Sequence, residues 1–204
     1  MLNGAWFQTT QLNARETSPT DSTLIVEAGN QRVRGVQASA MGRLGDGTDL
    51  VLGYAYLASA VTASEFFPTS VGYPLANVPR QTFNFFLTRR FLAKIKAGLG
   101  GNYVASRTAS STVPYVPLTY GPLTMYTTAS GGQAQGYEVL STGMRQVPGY
   151  WVFNAMVSRP ITDRIELQAN VYNLLNRFYI DQPHPSHLIP GAGLSALIGA
   201  RFRF

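Results

Sequence analysis

From residue 147 onward the chain alternates between apolar and polar positions. In 194–204, Leu194, Ala196, Ile198, Ala200, Phe202 and Phe204 fall on one side, and Ser195, Leu197, Gly199, Arg201 and Arg203 on the other. Successive side chains of a strand point to opposite faces. One face is therefore apolar and tipped with aromatics, and the other is small or cationic. The stretch 164–173 sets Ile165, Leu167, Ala169 and Val171 against Arg164, Glu166, Gln168, Asn170 and Tyr172. Across 151–158, Trp151, Phe153, Ala155 and Val157 oppose Val152, Asn154, Met156 and Ser158. Runs of about ten residues with two such faces suit a strand between lipid and an aqueous lumen, and equally a strand of a water-soluble antiparallel sheet.

The same pattern predicts strands over 4–14, 31–43, 49–62, 81–90, 94–106, 148–158, 164–175 and 194–204. Residues 15–30, 64–80, 107–147 and 176–193 read as long connections, because Pro, Gly, Ser and Asn interrupt the periodicity there. The remaining joints are tight: Asp46-Gly47, a strong hairpin signal, then 91–93 and 159–163. Long and short connections thus alternate along the whole chain. A soluble sandwich has no reason to keep every second turn tight, whereas a transmembrane barrel has short periplasmic turns and longer extracellular loops. The expected fold is all-β: about eight antiparallel transmembrane strands of a β-barrel.

Composition sharpens this choice. Hydrophobic residues make up 45% of the chain but charged residues only 13%, about half the usual globular share. A soluble surface needs more charge than that, and a lipid-facing belt does not. No run reaches the roughly 18 apolar residues of a membrane helix. The first residues show neither the basic nor the apolar region of a secretory signal, so none is expected within the chain. There are no cysteines, which excludes disulfides and thiolate metal sites. The net charge of +6 rests on arginines scattered along the chain, not gathered as a nucleic-acid footprint would be.

Particular residues carry a resemblance. The run 166–181, ELQANVYNLLNRFYID, and the ending PGAGLSALIGARFRF resemble the carboxyl-terminal strands of TonB-dependent outer-membrane receptors, closest to the catecholate-siderophore branch. NQRVRGVQ at 30–37, GYAYL at 53–57 and LANVPRQTFNFF at 75–86 resemble the same family. Its usual pattern has Phe in place of Leu175 and an acid in place of Gln37. The resemblance implies a plugged barrel of about 22 strands, of which residues 1–204 supply the carboxyl-terminal part, without plug domain or signal peptide. It also implies outer-membrane lipid as surroundings, a ferric siderophore as transported ligand, and TonB contact only through the missing plug. The aromatic terminus, Phe202 and Phe204, is then the signal read by the barrel assembly machinery. Trp151, Phe153, Tyr103 and Phe202 read as the aromatic girdle. The alternative is a free-standing eight-stranded barrel with a structural or adhesive role. Its interior would hold Gly98, Gly100, Gly199, Lys94, Lys96, Arg201 and Arg203. Glycines and unpaired cations pack a narrow lumen badly, so two open edges are expected instead, and no stable transporter from this chain alone.

Within the long connection 107–147, Arg107, Tyr115, Tyr120, Tyr126, Tyr137 and Arg145 suit a planar, anionic ferric catecholate. Aromatic faces stack on rings and guanidinium pairs with negative oxygens, although barrel loops are tyrosine-rich in any case. Asp181, His184 and His187 have metal-like spacing, but two histidines among prolines read as a solvated loop and no metal is expected. Ser186 between those histidines is the sole crowded nucleophile, and nothing orients it. Gly98-Leu99-Gly100-Gly101 opens no helix and so is no phosphate loop. No cofactor and no enzymatic activity are expected.

Overall fold

In a computed structural model of the chain, the described residues are 1–18, 23–109, 115–117, 125–127, 133–135, 137–139, 146–184 and 188–203. Eight strands form one sheet: β1 Leu2–Thr17, β2 Ile25–Arg43, β3 Thr48–Ala63, β4 Gln81–Arg90, β5 Lys96–Val104, β6 Tyr150–Pro160, β7 Ile165–Tyr172 and β8 Ser195–Phe202. Each pairs antiparallel with its sequence neighbours, so the sheet is a simple meander with β1 and β8 at its two ends. The ends are not joined, which contradicts a closed eight-stranded barrel. Among the described residues no helix is long and apolar enough to cross a membrane. The strands β4 and β6, at 10 and 11 residues, have the length of a tilted transmembrane strand.

The register makes the two faces continuous from strand to strand. Tyr54, Phe83, Tyr103 and Trp151 are successive cross-strand partners. Two levels along, Leu50, Leu87, Leu99, Ala155, Val171 and Ala196 form another row on the same face. The opposite face carries Ser39, Gly53, Asn84, Asn102 and Val152 in one row. Lys96, Ser158, Gln168 and Gly199 make another. A one-residue slip anywhere would exchange the faces, and no slip occurs between β2 and β8 outside the bulge at Asn30 and Gln31.

Neither face is covered. Leu99 is 45% and Ile198 76% exposed, and the buried apolar residues among those described are only Ala14, Val61, Ala109, Val147 and Val152. The accessible surface, 13270 Å², exceeds the roughly 9400 Å² of a compact soluble monomer of 22.2 kDa. A soluble sandwich would bury one face of each strand. This sheet has no such core.

The aromatic residues sit where glycines make room. Trp151 stacks on Phe153 at 5.6 Å and lies 5.2 Å from Tyr103, with Phe83 at 6.0 Å. Gly101 is the cross-strand partner of both Phe85 and Phe153, and a Cβ there would stand 2.6 Å from the first ring and 3.1 Å from the second. On the polar face Phe86 lies over Gly98 and Gly100, so the ring fills the volume those glycines leave. Phe202 shares the apolar face but pairs with Ile165 at the far end of the sheet, away from the Trp151 cluster. Phe204 lies outside the described residues.

Several expectations need correction. The connection read at 15–30 shrinks to 18–24, because β1 and β2 continue past the sheet as a projecting hairpin held by Arg15–Glu27 at 3.3 Å. Lys94 belongs to the 3-10 turn Leu92–Lys94, with φ of 60°, and not to a wall strand. Arg201 and Arg203 are not unpaired cations: Glu166 lies 3.9 and 3.6 Å from them. The connection at 107–147 begins and ends as a two-stranded pair, Arg107–Thr108 with Gln146–Val147, and 176–193 contains the hairpin Ile180–Pro183 with Leu188–Pro190.

Candidate functional site

All long connections leave the same end of the sheet, and they support one another there. β4 begins at Gln81 opposite Tyr56, which leaves the part of β3 beyond Tyr56 without that neighbour. Buried backbone groups require partners, and residues 64–80 supply them by running back along the strand. Leu57 N–H donates to the Arg80 carbonyl at 2.9 Å and Val61 N–H to that of Tyr73 at 3.0 Å, while Gly72 N–H donates to Val61 at 2.9 Å. The Glu16 carboxylate on β1 accepts from Glu65 and Phe66 N–H at 2.9 and 3.1 Å. Asn77 N–H reaches the Thr108 carbonyl at 2.9 Å, which ties this connection to the next.

Arg107 is the expected ligand residue whose side chain is described, and it is 6% exposed. Its Nη2 donates to the carbonyls of Ile180 and Asp181 at 3.0 and 2.6 Å, and its guanidinium lies 5.7 Å from the Tyr150 ring centre. Tyr150 in turn packs 4.4 Å from Tyr179. Burial, then the charge of Asp181, then Tyr150 hold the Tyr179 phenol above its ordinary pKa. Arg107 is thus a clasp between the start of the 107–147 connection and the 180–183 hairpin. One face of it lines an open cleft of about 310 Å³ together with Ser59, Arg80, Thr108 and Gln146. Arg80, exposed on this cleft, is a cation that the sequence reading did not single out as a ligand. Its signal was only its place, just before a strand at the long-connection end.

Replacing Arg107 with Lys removes the forked donor and the flat stacking surface. The expected result, about 1–2 kcal/mol of local stability lost, is faster limited proteolysis within 107–147 and 176–193 of the intact protein, with the barrel's resistance to cleavage unchanged.

Of the other expected ligand residues, three lie in short paired strands of the 107–147 connection. Tyr115 and Tyr137 belong to the paired strands Tyr115–Pro117 and Tyr137–Val139, with Tyr115 opposite Val139 and Tyr137 opposite Pro117. Tyr126, in Met125–Thr127, stands opposite Ala134. Tyr120 and Arg145 lie outside the described residues, as do Ser186 and His187.

The run 173–179 has a structural explanation. Asn173 and Asn176 adopt left-handed backbone, φ 49° and 48°, which Asn tolerates better than branched residues. The Asn173 side chain is 2% exposed. It donates to the carbonyls of Arg177 and Ala192 at 2.9 and 3.0 Å and accepts from Arg177 N–H at 2.8 Å. Its backbone N–H donates to Asn154 Oδ1 on β6 at 3.0 Å, and Leu194 N–H donates to Asn176 Oδ1 at 3.0 Å. Two asparagines therefore set how the chain leaves β7 and enters β8.

The profile described as "TonB dependent receptor-like, beta-barrel" matches residues 1–174 of the chain. This chain belongs to that family. A relative, the probable TonB-dependent receptor BfrD of Bordetella pertussis, is 28% identical over 200 residues, covering 97% of this chain and 24% of BfrD. The crystal structure of the siderophore receptor PiuA from Acinetobacter baumannii superposes with a TM-score of 0.75 at 22% identity, over 98% of this chain and 26% of PiuA. The ferric-catecholate import receptor Fiu of E. coli, in its closed form, gives 0.70 at 20% identity over 100% of this chain and 25% of Fiu. The chain therefore spans about a quarter of the length of the relatives it matches. TonB-dependent receptor barrels are proteins of the Gram-negative outer membrane, and the family comprises transporters and not enzymes. The free-standing barrel with a structural role gives way to this assignment.

Proposed function

We propose that the chain forms part of the wall of a TonB-dependent receptor that imports a ferric siderophore of the catecholate type. The observation that carries this reading is the family match over residues 1–174, on a sheet whose end strands are both left unpaired. In a bilayer an unpaired strand edge costs several kcal/mol per unsatisfied group, so further strands of the same receptor must complete the wall, in a barrel of about 22. The chain is the carboxyl-terminal part of that barrel. The apolar face, with Leu99 and Ile198, meets lipid, and the face with Asn84, Asn102 and Gln168 lines the lumen. TonB acts on a plug domain within that lumen, and the barrel assembly machinery reads Phe202 and Phe204 at the end of the last strand.

The relatives' names support the ligand: PiuA is a siderophore receptor and Fiu a ferric-catecholate import receptor. Within the 107–147 connection, Tyr115, Tyr120, Tyr126 and Tyr137 are residue types that stack on catecholate rings, and Arg145 is one that pairs with an anion. Arg107 shapes the cleft and Arg80 adds a cation to it. The test is uptake of radiolabelled ferric catecholate by cells that lack their own catecholate receptors and express the full-length receptor. Uptake should rise well above that of cells with an empty vector and vanish when TonB is deleted. Uptake at the empty-vector level, or independent of TonB, would contradict the reading.

A further inference from the structure

On the apolar face β2 carries two arginines that the transport reading does not use. Trp6, Val36 and Tyr56 form one row of cross-strand partners. The next row toward the long connections is Gln8, Arg34 and Ala58, and the one after it Thr10, Arg32 and Ala60. Alternation along β2 puts Arg32 and Arg34 on the same side as Trp6 and Tyr56. Strand rise places them about 7 Å apart. Their partners are small or uncharged, so both guanidinium groups have open space. No acid shares their rows, and among the described residues neither arginine has a salt-bridge or hydrogen-bond partner. The neighbouring cation Arg15, by contrast, is paired with Glu27 at 3.3 Å.

Two guanidiniums directly beyond an aromatic row, on the more apolar face of the sheet, sit where hydrocarbon gives way to headgroups. A cation kept there without a protein anion needs one from its surroundings, and guanidinium matches phosphate in a forked geometry. We propose that Arg32 and Arg34 form a site for the phosphate of a phosphorylated glycolipid headgroup in the outer leaflet. Trp6 and Tyr56 seat the lipid's acyl–headgroup boundary beside it. This rests on the reading of the apolar face as lipid-exposed.

The test uses the full-length receptor in detergent and diphosphorylated lipid A as the probe, with binding followed by native mass spectrometry. The wild type should retain diphosphorylated lipid A, and the double variant Arg32→Ala/Arg34→Ala should bind it at least about tenfold more weakly. Dephosphorylated lipid A should bind the wild type as weakly as the variant binds the native probe. Inorganic phosphate at millimolar concentration should compete poorly, since it lacks the acyl chains held by the aromatic row. The double lysine variant, which keeps both charges, should lie between. Unchanged heat-modifiable gel migration shows that each variant is folded. Equal retention of the probe by wild type and double alanine variant would overturn the proposal, as would equal retention of both lipids by the wild type. Competition by free phosphate as effective as by lipid A would also overturn it. Siderophore uptake is read separately, so failure of this site and failure of the transport reading are distinguishable.

Discussion

Asn173→Ala should be among the most damaging single substitutions in the chain. It removes three side-chain hydrogen bonds from a group that is 2% exposed and leaves the carbonyls of Arg177 and Ala192 and the N–H of Arg177 without that partner. Each such bond is worth about 1 kcal/mol net, and more where a buried group is stranded. Alanine also tolerates the left-handed backbone at φ 49° less well, at a cost of about 1 kcal/mol. Together the loss is about 4 kcal/mol, read as a lower guanidinium midpoint for the full-length receptor. Asn176→Ala, which loses one acceptor for Leu194 N–H, should cost roughly 1–2 kcal/mol. Asn173→Asp separates the side chain's two roles. It keeps the acceptor for Arg177 N–H but sets a carboxylate oxygen against two carbonyls, and it should be no better than alanine. An aspartate variant of wild-type stability would show that the two donated bonds do not hold the connection.

Leu99→Arg should cost about 2–4 kcal/mol, the depth-dependent cost of a cation on the lipid face of a barrel near the bilayer midplane. Leu99 stands at the centre of the apolar row between Leu87 and Ala155, with no acid on that row. Gln168→Arg, on the opposite face between Ser158 and Gly199, adds the same charge to the polar wall. It should change stability by no more than about 0.5 kcal/mol. The same guanidinium midpoint, measured in lipid bilayers, compares the two. Equal effects would remove the distinction between the faces.

Much of this was legible in the chain, and the physical reason is the period of two. Alternation assigned Ile165, Leu167, Ala169 and Val171 to one face without any knowledge of their neighbours, and the register preserved that assignment across every strand. Asp46-Gly47 marked its hairpin because Gly47 has φ of 72°, which few residues adopt. The run at 173–179 was recognisable as a motif, but its cause was not. A pattern of letters does not show that Asn173 spans to Ala192. Charge pairing was hidden for a similar reason. Glu166 meets Arg201 only once β7 and β8 are in register, so the two arginines looked unbalanced. The structural part played by Arg107 was hidden as well, because residue type does not show that the carbonyls of Ile180 and Asp181, far along the chain, accept from its Nη2. The extension of β1 and β2 was missed because Gly29 and Asn30 read as a turn, while the structure accommodates both inside a bulged strand pair.

The chain contains no cysteine, so, with any cysteine elsewhere in the receptor replaced by serine, single cysteines placed at each position from 166 to 171 can carry a spin label without competition. In the full-length receptor reconstituted in bilayers, labels at 167, 169 and 171 should relax chiefly with dissolved oxygen, which concentrates in hydrocarbon. Labels at 166, 168 and 170 should relax chiefly with a water-soluble nickel chelate. Strict alternation at period two is the predicted result. Uniform accessibility along β7, or an alternation of opposite phase, would contradict a wall with hydrocarbon on one side and an aqueous lumen on the other.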